Sequence, residues 1–362
     1  VTGSAWTGGG SDLPVRTDLV VVGGGPVGLV TAADAALRGL RVVVVNARDG
    51  DGDKACGEGL MPSALLRLRA LGVDPPGRDF RGIRYVSGAH AAESRFPGSG
   101  GRGVRRTALV ASLRERLVDL GVPSVRARVQ TLQQDHRGVT VAGVHARYCA
   151  VADGLHSPLR RSLGLVARPS RVQRLADRRW PTRYGLRRHV AVAPWTDLVE
   201  VHWAGDCEAY VTPVGDHEVG VAVLCAGGAP YEAWLTRFPT LQERFANATA
   251  TSTVRGAGPL RQVATQRVAG RAMLVGDAAG YVDALTGEGL AVGFAAAARL
   301  LDAVVADRPE DYEAGWREVT RRPRVVTEAL LAATRSRTVR RHLVPAAARM
   351  PTLFDAAVRQ LA

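Results

Sequence analysis

Leu19-Val20-Val21-Val22 runs straight into Gly23-Gly24-Gly25-Pro26-Val27-Gly28. The apolar, β-branched run reads as a buried parallel strand. The glycines satisfy G-x-G-x-x-G at the point where a strand hands over to a helix. Gly23 permits the tight turn, Gly25 lets the backbone approach a pyrophosphate, and Gly28 lets the helix pack close to the sheet. Pro26 suits the first turn of a helix, and the spacing predicts that helix over Pro26–Leu40. The free N–H groups and partial positive charge at its start favour phosphate. Arg41–Val45 follows as a second apolar strand, completing a right-handed βαβ unit. Together these residues predict a dinucleotide site containing Gly23, Gly25, Pro26 and Gly28. The end of the second strand, where an acid commonly holds the adenosine ribose, carries Asn46. Its amide can still hydrogen-bond a hydroxyl. Arg48 is placed to stack on adenine.

Further out, the chain has 362 residues, 46% of them hydrophobic, enough for two interleaved domains. The net charge of +14 comes almost wholly from arginine. The arginines are interspersed with acids and only 5% of residues are aromatic, which argues for a solvated surface and against nucleic-acid binding. The cysteines Cys56, Cys149, Cys207 and Cys225 form no CxxC pair and have no zinc-ligand spacing, so a reducing cytoplasm, no structural disulfide and no metal are expected. No apolar run approaches the roughly 18 residues that span a bilayer. The Gly/Ser/Thr-rich stretch Val1–Asp12 reads as a frayed tail without a signal pattern. Helices are predicted over Pro62–Leu71, Thr107–Leu120 and Gly289–Val305, and helical texture from Pro309 onward. Strands are predicted over Val139–Val151 and Arg271–Val275. Alternation from about Trp180 to Leu224 predicts a separate antiparallel sheet.

Two further motifs narrow the dinucleotide. Val151-Ala152-Asp153-Gly154-Leu155-His156-Ser157-Pro158-Leu159-Arg160 resembles the DG motif of flavoprotein monooxygenases, and Val275-Gly276-Asp277-Ala278-Ala279-Gly280 resembles their GD motif. The three motifs stand in the family's order, each roughly 125 residues from the next. The resemblance covers nearly the whole chain. It implies FAD as cofactor, with Asp153, Gly154, Gly276 and Asp277 at the flavin and Asp277 accepting from the ribityl chain. Arg106-Thr107-Ala108-Leu109 resembles the family's R-x-x-L helix start, whose arginine reaches the flavin or its phosphates. Arg105 is the alternative, leaving the other arginine as a surface charge. Tyr281–Leu290 leads from the GD motif into the long helix. Gly287, Glu288 and Gly289 there would bring backbone N–H groups to the isoalloxazine, with the helix dipole favouring charge on reduced flavin. Lys54-Ala55-Cys56-Gly57-Glu58-Gly59-Leu60-Met61-Pro62 resembles the K-x-C-G-x-G-L-x-P signature of the geranylgeranyl-reductase-like branch, which lies along the flavin. Cys56 is either a redox or substrate-facing thiol or a small packing residue against the ring; packing is the commoner fate.

The implied fold is α/β: a Rossmann-type, glutathione-reductase-like FAD-binding domain (1–75, 101–175, 260–320), an inserted antiparallel-sheet substrate domain (76–100, 176–259) and C-terminal helices (321–362). The reductases' Y-x-W-x-F-P appears here as Tyr210-Val211-Thr212-Pro213. The tyrosine and proline survive, the tryptophan and phenylalanine do not, and the halogenases' W-x-W-x-I-P is absent. The expected chemistry is therefore monooxygenation: NAD(P)H reduces FAD, and O2 forms a C4a-hydroperoxide that hydroxylates or epoxidises an apolar aromatic or terpenoid-like small molecule. The alternatives are saturation of an isoprenoid double bond and non-catalytic flavin binding or electron transfer. Cys56, Glu58, His189 and Tyr210 are the pocket candidates. For His189 the ordinary reading, a sheet or surface histidine, is favoured over a pocket role, and Arg188 and His202 are open in the same way. The C-terminal helices either dock on the body or form a dimer face, so the chain is expected as monomer or homodimer.

Overall fold

In the computed structural model, residues 16–47, 52–167 and 182–359 are described. Val1–Asp12, Arg48 and the start of the stretch from Trp180 lie outside them. Thr17–Val22 forms the strand before the glycine turn and is wholly buried. It pairs in parallel with Val42–Asn46 on one side and Val144–Val151 on the other, and Ala272–Leu274 continues the parallel set. Ser124–Arg126 pairs in parallel with Val42–Asn46. Antiparallel additions from Val268–Ala269, Val139–Val141 and Gln133–Gln134 complete an eight-stranded sheet.

The register of this sheet positions the site. Val22 pairs with Val45 and Val151, and Val151 pairs with Leu274. The residues that follow continue the ladder: Gly23 N–H donates to Val45 O, Ala152 N–H to Val22 O and Val275 N–H to Val151 O, all at 2.8–2.9 Å. Motifs far apart in sequence therefore leave one sheet edge side by side. That edge is the carboxyl end of the parallel strands, where α/β sheets bind ligands.

The helix after the turn, Pro26–Leu37, stops before Leu40 because Gly39 takes φ +80° and Leu40 N–H closes back onto Ala35 O. Pro62–Ala70, Arg106–Asp119 and Gly289–Val305 match the other expected helices within a residue. A second sheet of seven strands runs in the order Arg255–Ala257, Arg183–Val190, Glu218–Ala226, Glu208–Gly215, Val199–Trp203, Gly82–Ser87, His90–Arg95. It is antiparallel except where Val199–Trp203 runs parallel to Gly82–Ser87, two strands contributed by distant parts of the chain. Gly59–Leu60, Gly101–Gly103 and Arg78–Phe80 form a small third sheet that packs against the strand Glu208–Gly215. The C-terminal helices Asp311–Ala333, Arg337–Arg349 and Pro351–Arg359 dock on the body. Leu331, Val344, Phe354 and Val358 bury themselves with Tyr85 and Trp203 of the seven-stranded sheet. Arg340 donates to Ala204 O at 2.6 Å and pairs with buried Glu208. Among the described residues no helix is long and apolar enough to cross a membrane.

Candidate functional site

One cavity of about 1290 Å3 runs from the glycine turn to the inner face of the seven-stranded sheet. At its first end, Gly23 has φ +123°, and a Cβ there would lie 2.2 Å from Ala152 O. A Cβ on Gly28 would lie 2.0 Å from Gly23 O, so the helix start touches the turn itself. Gly24 N–H donates to Asn46 Oδ1 at 3.2 Å, so Asn46 braces the turn from the neighbouring strand while lining the cavity.

Asp153 and Asp277 line the middle of the cavity. Asp153 Oδ2 accepts from Leu159 N–H at 3.2 Å, while its buried Oδ1 has no partner among the described residues. Burial pushes both carboxyls above the usual range. A buried, unpaired acceptor beside a glycine cradle fits a cofactor that brings hydroxyls and phosphates. Arg160, quoted in the DG stretch but given no role there, is the residue that binds the two motifs together. It is 2% exposed and donates to Leu155 O, Asp277 O, Ala278 O and Gln262 Oε1. Its position seven residues after Asp153 was the available signal.

Arg106 is the arginine of the pair that reaches the cavity. Its Nε donates to Gly52 O at 2.9 Å, and its Nη2 lies 3.6 Å from where a Gly25 Cβ would be. Arg105 is more than a surface charge: it pairs with Glu218 at 3.2 Å, and its Nη2 lies 3.2 Å from His189 Nδ1. Gly287 (φ +71°) and Gly289 line the cavity, and nothing lies within 4 Å of a Cβ placed on Gly287. Glu288, expected beside them, presents its carboxyl elsewhere. It lines a separate cavity of about 70 Å3 with Trp316, Thr320, Arg324 and Thr327. Its Oε2 is buried without a partner among the described residues, and burial pushes the carboxyl up to about 7 against the opposing Thr286 hydrogen bond.

Lys54, Cys56 and Glu58 all line the cavity. Burial raises the Cys56 thiol, which stays protonated. Glu58 has φ +59°, uncommon for a residue with a side chain. Its carboxylate accepts from Arg106 N–H at 2.9 Å and from His189 Nε2–H at 2.5 Å. His189 is 1% exposed and stands outside the cavity wall, facing Glu58. Its Nδ1 lone pair faces Ser252 Oγ at 2.8 Å, with guanidinium nitrogens of Arg187 at 3.0 Å and Arg105 at 3.2 Å beside it. Arg187, given no role from sequence, lines the cavity and ties Asp53 and Lys54 O to this group. Tyr210 lines the far end, its hydroxyl donating to Leu285 O at 2.8 Å. Arg188 pairs with Glu232 and His202 with Glu200, both away from the cavity. The far walls are apolar: Met61, Phe80, Ile83, Val199, Val201, Leu186, Leu224 and Leu260. Among the described residues no His/Cys/Asp/Glu group could hold a metal.

Glycine turn, paired aspartates and apolar chamber together define a flavoprotein oxidoreductase, and the comparisons with known proteins agree. Residues 16–93 match the family model described as FAD binding domain. The chain is 31% identical to the menaquinone reductase of Mycobacterium tuberculosis over 324 residues, covering 79% of this chain and 76% of that one. It is 27% identical to the 12-dehydrotetracycline 5-monooxygenase/anhydrotetracycline 6-monooxygenase of Streptomyces rimosus, over 90% of this chain and 70% of that one. Among solved structures, the flavin-dependent brominase Bmp2 superposes with a TM-score of 0.77 at 17% identity, over 96% of this chain and 93% of that one. The chain belongs to the FAD-dependent oxidoreductase superfamily that contains these enzymes.

Proposed function

We propose that this enzyme is an FAD-dependent reductase that saturates a carbon–carbon double bond in an isoprenoid-like apolar substrate, with NAD(P)H as reductant. The observation that carries the reading is Cys56, a thiol kept protonated by burial at the junction of the flavin loop and the apolar chamber. Saturation adds a hydride to one carbon and a proton to its neighbour. Reduced FAD supplies the hydride chemistry when bound. The chain's own part is to line a dry chamber, orient the alkene and hold the proton. Cys56 is the group placed to donate it. The likeness to a menaquinone reductase over most of the chain supports this order of preference over the oxygenation expected from sequence.

Oxygenation remains the second reading. The tryptophan and phenylalanine of the reductase motif are missing from Tyr210–Pro213, and a tetracycline monooxygenase is also a relative. The test uses the FAD-loaded enzyme with a short-chain prenylated quinone. Under anaerobic conditions with excess NAD(P)H, a product that keeps two added hydrogens in its prenyl chain after any quinol is reoxidised to the quinone is expected, with the yield falling sharply in Cys56→Ala. A product gaining one oxygen atom, formed only in air, would replace the reductase with the monooxygenase. Reducible FAD with no product in either atmosphere points to electron transfer alone.

A further inference from the structure

The chain carries 48 lysines and arginines, and Lys54 is its only lysine. Everywhere else that this sequence places a basic side chain it uses arginine. Position 54 lies in the cavity wall, and its Nζ is 3.9 Å from where a Gly154 Cβ would be. Lys54 and Arg106 are also the leading cations acting on the Asp277 carboxyl. The ammonium therefore sits where the Asp153 and Asp277 motifs converge.

It is held there by the other sheet. Arg187 donates to Lys54 O at 3.1 Å and pairs with Asp53, which also pairs with Arg255 at 2.9 Å. Thr212 Oγ1 donates to Gly57 O at 2.8 Å. His189 grips Glu58 at 2.5 Å. His189, Gly220 and Thr212 form one row across three adjacent strands. A Cβ on Gly220 would lie 3.0 Å from Glu58 Oε2, so the bare glycine leaves the seat in which the carboxylate rests. The loop is pinned on both sides of Ala55 and Cys56, which fixes where the side chain of residue 54 begins.

We propose that Lys54 is a functional cation of the flavin site, positioned by the Arg187–Thr212–His189 clamp, whose compact ammonium stabilises the extra negative charge of reduced FAD. A guanidinium at this place carries the same charge on a wider, planar group with fixed donor directions. It would meet Arg106 and Asp277, which share the same part of the cavity. The inference rests on FAD binding and not on which substrate is reduced or oxygenated.

The test is the two-electron midpoint potential of bound FAD, measured anaerobically by dye equilibration at saturating FAD, for wild type, Lys54→Gln, Lys54→Arg and Thr212→Val. FAD affinity and melting temperature are followed as controls. Lys54→Gln is expected to lower the potential, with the preference for reduced over oxidised flavin falling by about tenfold or more, the scale of one charge at close range. Lys54→Arg is expected to recover less than half of that shift. Thr212→Val is expected to move in the same direction by less, since the loop keeps its other anchors. A wild-type potential in Lys54→Gln overturns the proposal. A wild-type potential in Lys54→Arg overturns the requirement for an ammonium.

Discussion

The cavity has two glycine-containing walls, and they are built in opposite ways. The turn Gly23–Gly28 is held by its own βαβ unit: Gly23 N–H donates to Val45 O and Leu29 N–H to Gly25 O. The loop Asp53–Glu58 has little structure of its own. Its anchors come from elsewhere in the chain: the side chains of Arg187, His189 and Thr212, all more than a hundred residues away, and the backbone N–H of Arg106. The first wall is backbone meeting backbone and tolerates almost no change in shape. The second is a set of polar side-chain contacts that can loosen one at a time. Local geometry thus shapes the first wall of the cavity, and tertiary contact shapes the second.

The sharpest way to break this contrast is to place a methyl group in each wall. Gly28→Ala puts a Cβ 2.0 Å from Gly23 O, a backbone atom that cannot swing aside. We expect a loss of about 3 kcal/mol or more and protein purified without FAD, read from thermal denaturation and flavin absorbance. Wild-type flavin content would show that the first wall is more pliant than its backbone packing implies.

Gly220→Ala applies the same methyl to the second wall. Its Cβ would sit 3.0 Å from Glu58 Oε2 and 3.7 Å from His189 Cδ2. The carboxylate is pinned from two sides, so it yields by lengthening its bonds to His189 and Arg106 N–H. The expected cost is about 1–2 kcal/mol, with FAD retained but released faster. Release at the wild-type rate would mean that the loop does not depend on its seat. A larger loss than in Gly28→Ala would reverse the ranking of the two walls.

The same contrast explains what the sequence revealed. The turn follows from short-range rules, an apolar run ended by glycine and a proline at a helix start, and the two aspartate motifs were legible through their resemblance to those of flavoprotein monooxygenases. Their convergence on one sheet edge follows from parallel pairing. The seat for Glu58 could not be read in this way. His189 and Glu58 are 131 positions apart, and nothing near either one announces the other. Strand alternation put Arg187 and His189 on one face but not against what. Glu288 shows a different limit: the reading of its turn concerned backbone N–H groups, and where its carboxyl falls depends on N-cap dihedrals that a motif does not carry.

Asn46 belongs to both kinds of wall, and substituting it gives the smallest effect. It ends a strand of the βαβ unit, yet it acts through its side chain, accepting from Gly24 N–H at 3.2 Å. The amide packs against the face of Gly24, where a Cβ would come within 2.5 Å of it. A carboxylate here would accept more strongly, from the turn and from a ribose hydroxyl alike, because ionised acceptors form the stronger bonds. Asn46→Glu is therefore expected to tighten FAD by about threefold to tenfold, equivalent to about 1 kcal/mol, measured by fluorescence titration of the apoprotein. Asn46→Ala, which removes the brace, should weaken it by a similar factor. If both variants weaken FAD equally, Asn46 serves only to brace Gly24, and the ribose is held by another residue.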